Sequence, residues 1–111
     1  MEDSTTVDVT TIDVLTEARP IGILKIDVEG FELDVLKGAA QRLNSGAIQF
    51  VYAELIDLAL INAGTSAVIV EAFLRQRNLF PVVWDGQFRK ASLAKSLEAS
   101  GEDRSALFMR Q

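Results

Sequence analysis

Asp27, Glu29 and Glu32 fall at the end of, or just after, a run rich in apolar and β-branched residues, Ile21 to Val28. Carboxylates at a strand tip can take a proton, orient a hydroxyl or bind a cation. Lys25 precedes Asp27 by one alternation and would share its face of a strand. A second apolar run, Ile48 to Leu55, also delivers an acid near its end, Glu54, and Asp57 follows. Ligands of open α/β sheets bind outside the carboxyl ends of parallel strands. The two acid-tipped runs are therefore where chemistry is expected. The chain has no histidine and no cysteine. Thiolate nucleophiles, disulfides and Cys-ligated zinc are excluded, and acid–base work falls to Asp, Glu, Lys, Tyr or the substrate.

The elements that must position these residues follow from pattern. Ile21 to Val28 has the length and composition of a core strand. One face would carry Gly22, Leu24, Ile26 and Val28. The other would carry Ile21, Ile23, Lys25 and Asp27, beginning apolar and ending charged. Gly30 reads as a turn residue with freedom to take φ > 0 or to admit a close backbone approach. A helix is expected over Phe31 to Leu43, with Leu33, Leu36, Ala40 and Leu43 as its apolar stripe. Glu29, Glu32 and Asp34 sit at its start and Lys37 and Arg42 towards its end, which complements the helix dipole. Gly38 inside it would allow close packing on the sheet.

Around this unit, Val7 to Ile12 reads as a short edge strand. Thr11 is a candidate cap for a helical turn that Ala18-Arg19-Pro20 ends. Leu58 to Ile61 is a short helix or a wall over the strand tips. Thr65 or Ser66 can cap a helix reaching about Asn78. Phe80 to Trp84 is a third core strand, and Asp85-Gly86 lets Gln87 to Lys90 pair back as a hairpin. Ser92 to Ser100 is ambiguous, and Ala106 to Met109 is a closing strand. Strands alternating with helices favour an α/β fold with a parallel core. Right-handed crossovers put the main helices on one face. The other side of the sheet is then poorly covered, as in half of a larger domain.

The 111 residues suit a single domain, and 49% hydrophobic with 24% charged residues is ordinary for a globular protein. A net charge of −5 argues against nucleic acid or an anionic membrane as partner. No stretch approaches the ~20 apolar residues of a membrane span. Met1 to Thr6 is polar and acidic rather than a secretory leader. A cytoplasmic setting is the expectation.

The stretch Leu24-Lys25-Ile26-Asp27-Val28-Glu29-Gly30-Phe31-Glu32-Leu33-Asp34-Val35-Leu36-Lys37-Gly38-Ala39 resembles the signature of FkbM-type S-adenosylmethionine-dependent methyltransferases. Val9-Thr10-Thr11-Ile12-Asp13-Val14-Leu15, Val51-Tyr52-Ala53-Glu54 and Ser105-Ala106-Leu107-Phe108-Met109-Arg110 fit the same family. The resemblance implies a partial Rossmann-like class I methyltransferase sheet. Its core strands would be parallel, and its last two strands would form a C-terminal antiparallel hairpin. It implies O-methyl transfer from S-adenosyl-L-methionine to a hydroxyl of a sugar, glycan or natural product. Such families bind the cofactor through a glycine-rich turn after their first strand and an acid after the second. Glycine is absent from residues 1–21. The chain thus resembles the C-terminal half of such a domain, expected to be inactive alone.

On that resemblance Asp27 is the catalytic candidate and also faces the cofactor. The bland reading makes it a turn carboxylate bonding local amides, or a solvated partner of Lys25. Glu29 is a cofactor contact or a helix-start acid whose charged form the dipole favours. Glu54 and Lys25 are acceptor-binding candidates. Lys25 is more simply the ion-pair partner of Asp27, and Glu32 and Asp34 are more simply solvated first-turn acids. Asp27 with Glu54 could hold an acceptor or a divalent cation, but two carboxylates do not establish a metal and none is assigned. The competing reading is a noncatalytic α/β module that dimerises or docks through an uncovered sheet edge or face.

Overall fold

The two β-branched runs become neighbouring strands. In the computed structural model, which describes residues 10–16, 19–99 and 104–111, the elements run α1 (Ile12–Thr16), β1 (Ile21–Ile26), α2 (Glu32–Lys37), α3 (Ala40–Asn44), β2 (Ile48–Glu54), α4 (Asp57–Asn62), α5 (Ala67–Arg75), β3 (Leu79–Trp84), β4 (Phe88–Lys90), α6 (Leu93–Ala99) and β5 (Ser105–Arg110). The strand expected over Val7 to Ile12 lies mostly outside the described residues, and Ile12 itself starts α1. Thr11 caps that turn, its Oγ1 accepting from the Val14 amide at 3.2 Å.

The sheet has the order β1-β2-β5-β3-β4. β1 and β2 are parallel, with Leu24 beside Val51 and Ile26 beside Ala53. β5 is antiparallel to both β2 and β3, so β1, β2 and β3 all point the same way. The C-terminal antiparallel part differs from the expected pairing of the last two strands. The tight hairpin joins β3 to β4 at the edge, with Trp84 opposite Phe88. β5 enters between β2 and β3. The ambiguous Ser92–Ser100 segment supplies the reason. It is helical, and α6 lays Leu93 and Leu97 against the core, carrying the chain back to the middle of the sheet.

Val51, Ala53, Ala106 and Phe108 pack on one face of the sheet with Leu36, Leu43, Leu60, Val70 and Leu74 from the helices. Ile12, Leu93 and Leu97 join the same cluster. The helices therefore cover a single face. The opposite face carries Ile23, Phe50, Tyr52, Phe80, Trp84, Phe88, Leu107 and Met109, by the register of the strands. Phe88 packs between Phe50 and Trp84, tilted to the first and edge-on to the second, with ring centroids 5.5 and 4.9 Å away. Ile23 stays 58% exposed and Trp84 65%. The molecule is 22 Å along its shortest axis, the thickness of one sheet bearing one helix layer.

The helix expected over Phe31 to Leu43 is two helices. The break falls at Gly38 and Ala39, and its cause is a contact from α1. The Gly38 carbonyl accepts from the Asp13 amide at 2.9 Å. The Asp13 carboxylate then accepts from the amides of Gln41 (3.0 Å) and Arg42 (3.1 Å), capping α3 from another part of the chain. Gly38 faces Thr11 rather than the sheet: a Cβ there would sit 3.2 Å from Thr11 Cβ.

Candidate functional site

β1 stops at Ile26, which is buried, and the next residues leave the sheet. Asp27 is the first of them. Its side chain is exposed and has no hydrogen bond or ion pair among the described residues. Val28, Glu29 and Gly30 then form a tight turn in which Glu29 (φ 48°) and Gly30 (φ 105°) both take the left-handed side of backbone space. For a glutamate that conformation is costly, by about 1–2 kcal/mol, so something must hold it.

Glu32 does so. It is fully buried, against the expectation of a solvated first-turn acid. Its two carboxylate oxygens accept from the amides of Val28 (3.0 Å) and Gly30 (2.8 Å). The burial is affordable because both oxygens are bonded to turn amides that would otherwise be orphaned. Gly30 is buried on the other side against α4, where a Cβ would collide with the Ala59 carbonyl. The turn is thus clamped between the start of α2 and the middle of α4. The sequence offered one sign of it, an acid opening a helix two residues after a glycine, the geometry in which a side chain reaches back to free amides.

Glu29 lies in this turn, three residues ahead of α2, and not in the helix's first turn. It lines an open cleft of about 380 Å³ with Phe31, Ile56, Leu58, Ala59, Asn62 and Ala63. Leu58 is 69% exposed and Phe31 56%, so the walls are apolar and accessible.

Glu54 ends β2 opposite Ser105 of β5. The parallel register ends with Ile26 beside Ala53, so Asp27, just past β1, and Glu54, the last residue of β2, both follow that last rung at the same end of the sheet. The sheet therefore brings these two acids to one tip, as the sequence suggested. Glu54 also borders a second cleft, of about 720 Å³, with Ile56, Ala94, Leu97, Glu98 and Arg104. Ile56 lines both clefts. Arg104 forms an exposed ion pair with Asp57 at 3.1 Å.

Lys25 does not pair with Asp27. Its ammonium lies over the ring of Tyr52, 5.9 Å from the centroid. Tyr52 is its register partner on β2, and the flexible stem reaches an aromatic face more readily than a carboxylate beyond the strand end. The expected Lys25–Asp27 pair is thereby replaced, and Asp27 is left to solvent. Among the described residues no group of three or more His, Cys, Asp or Glu side chains is disposed to hold a metal ion.

Residues 2–79 match the methyltransferase FkbM domain, most of the chain and the whole of the Asp27–Glu32 turn. The chain belongs to the FkbM methyltransferase family. No curated protein and no solved structure matches it. The matched residues take in the capping segment at Asp13, β1, β2 and α5, and end at the first residue of β3. The tip of β1, the clamp on its turn and the α4 wall all fall inside it. No helix among the described residues is long and apolar enough to cross a membrane.

A further determinant that sequence reasoning passed over is Arg110. Its guanidinium donates to the carbonyls of Leu43 (2.8 Å), Ile48 (2.8 Å) and Arg77 (2.9 Å). It ties the end of α3, the start of β2 and the turn after α5 to the last strand. Burial lowers its pKa from the ordinary arginine value, yet arginine stays charged at any working pH.

Proposed function

We propose that this chain is the acceptor-side part of an O-methyltransferase with a Rossmann-like sheet, using S-adenosyl-L-methionine and acting on a hydroxyl of a sugar, glycan or natural product. The observation that carries the reading is Asp27: an exposed, unpaired carboxylate just past the buried end, Ile26, of the edge strand β1, within the residues that match the family. A carboxylate there can accept the proton that an acceptor hydroxyl gives up as its oxygen takes the methyl group. Glu54, one strand over, and Lys25, on the same face, would orient the acceptor.

The residues present fit the cofactor in part. Asp27 and Glu29 offer exposed carboxylates, suited to an ammonium or to ribose hydroxyls. Two of the turn's amides, those of Val28 and Gly30, are already taken by Glu32. With no glycine in residues 1–21, the amide cradle that a nucleoside cofactor needs would come from other sequence. When bound, S-adenosylmethionine supplies an electrophilic methyl group on a sulfonium. This chain's part is to place a proton acceptor and hydroxyl-binding acids beside it.

The test is calorimetry and methyl-transfer assay. The 111-residue chain alone is expected to bind S-adenosylmethionine no more tightly than millimolar and to transfer no methyl group. A protein that joins these residues to a glycine-rich cofactor-binding segment should transfer methyl, and Asp27→Asn should lower its kcat by about 10²–10⁴-fold. Micromolar binding by the isolated chain would sink the part-domain reading, and full activity of Asp27→Asn would sink the assignment of the base.

A second reading, an interaction module, is favoured by the open sheet face with its exposed Ile23 and Trp84. A second copy of this chain would be its occupant.

A further inference from the structure

Val28 and Gly30 present their amides at the turn that also carries Asp27 and Glu29. Free amides in such a turn are what nearby carboxylates bind first. Neither Asp27 nor Glu29 is bonded to them. Both amides go instead to Glu32, a side chain with no solvent exposure. The clamp is two-sided, since Gly30 is pressed against the Ala59 carbonyl of α4. The turn cannot relax towards α4, and its Val28 and Gly30 donors are spent on the α2 side.

We propose that Glu32 is a positioning residue: by consuming the Val28 and Gly30 amides it keeps the Asp27 and Glu29 carboxylates unbonded and directed outward for the reaction. This rests on the reading of Asp27 as the reacting carboxylate. Glu32 touches neither acceptor nor cofactor. It acts through the turn. In its absence Asp27 or Glu29 folds back onto the freed amides, and the site loses its acceptor for protons.

The prediction is a pattern of coupling between residues. In the 111-residue chain, amide exchange at Val28 and Gly30 is followed by NMR. The double substitution Asp27→Ala, Glu29→Ala in the native background should leave that exchange unchanged, because those carboxylates do not hold the amides. Glu32→Ala should speed it by about tenfold, while amides of β2 and β5 keep their protection. Adding the double substitution to Glu32→Ala should speed it by a further fivefold or so, since the substitute carboxylates are then removed as well. Glu32→Gln retains one acceptor oxygen and should rescue protection at one of the two amides; it also serves if Glu32→Ala does not fold. Methyl transfer by the protein with its cofactor-binding segment should fall in kcat, with acceptor KM little changed, in the order Glu32→Gln then Glu32→Ala.

Exchange at Val28 and Gly30 that ignores Glu32, or that responds to the Asp27 and Glu29 substitutions equally in both backgrounds, overturns the proposal. So does native kcat in Glu32→Ala alongside an inactive Asp27→Asn. If no variant and no native protein transfers methyl, the methyltransfer reading fails by itself, and the exchange pattern still decides whether Glu32 keeps the two carboxylates free.

Discussion

Two residues of one motif have opposite fates. Asp27 and Glu32 are both acids near the tip of β1, yet one is exposed and unbonded and the other is fully buried and doubly bonded. Alternation along the strand was enough to find Asp27, because its place follows from the apolar run behind it. It could not find the role of Glu32, because burial of a helix-start acid depends on which amides the preceding turn leaves open. Gly30 was legible as a positive-φ position, and the structure adds why no other residue fits. Gly30→Ala combines a disfavoured φ with a collision on the Ala59 carbonyl. It is expected to lower stability by about 3 kcal/mol, read as a drop in the urea midpoint at unchanged slope. Alanine at Gly64, also at positive φ but with open space around it, should cost only about 1 kcal/mol.

At the scale of elements, the fold is held by side chains that reach across the sequence. Asp13 caps α3 through two amides, and Arg42 answers by donating to the Asp13 carbonyl and to Thr16 Oγ1, both at 3.2 Å. The segment resembling the family's Thr-Ile-Asp pattern is therefore structural at both ends, Thr11 capping α1 and Asp13 capping α3. The apolar spacing could suggest one long helix because periodicity carries no information about a cap supplied from 28 residues away. Asp13→Ala should cost about 1–2 kcal/mol in urea unfolding, and Asp13→Asn, which keeps one acceptor oxygen, about half of that. Arg110 joins three elements through three carbonyls. Arg110→Lys preserves the charge but not the planar fork that reaches all three. A loss of about 2 kcal/mol is expected, with earlier exchange of the β5 amides as its local sign.

The whole molecule is a sheet with one dressed face. The parallel pair and the alternation of strands with helices were readable in the sequence, as was the undersupply of helices. The insertion of β5 between β2 and β3 was not, because strand order depends on where α6 returns the chain and not on any local pattern. The consequence is an aromatic surface built from Phe50, Phe88 and Trp84 beside Ile23 and Leu107. A contiguous apolar surface of this kind rarely stays bare in a monomer. A net charge of −5 opposes association only weakly once salt screens it. The 111-residue chain is therefore expected to self-associate through this face. Sedimentation velocity across a hundredfold concentration range should show mass rising with concentration. Ile23→Lys with Trp84→Lys should restore the monomer while changing stability by less than about 1 kcal/mol, because both side chains are already mostly in solvent. The same charge placed on the dressed face, as Val51→Lys, should unfold the protein, since Val51 is fully buried and a lysine there has no partner. A native chain that stays monomeric at every concentration would mean that the charged and aromatic rim, with Lys25 over Tyr52 and Lys90 over Phe80, is enough to keep the face in water, and the interaction-module reading would fall with it.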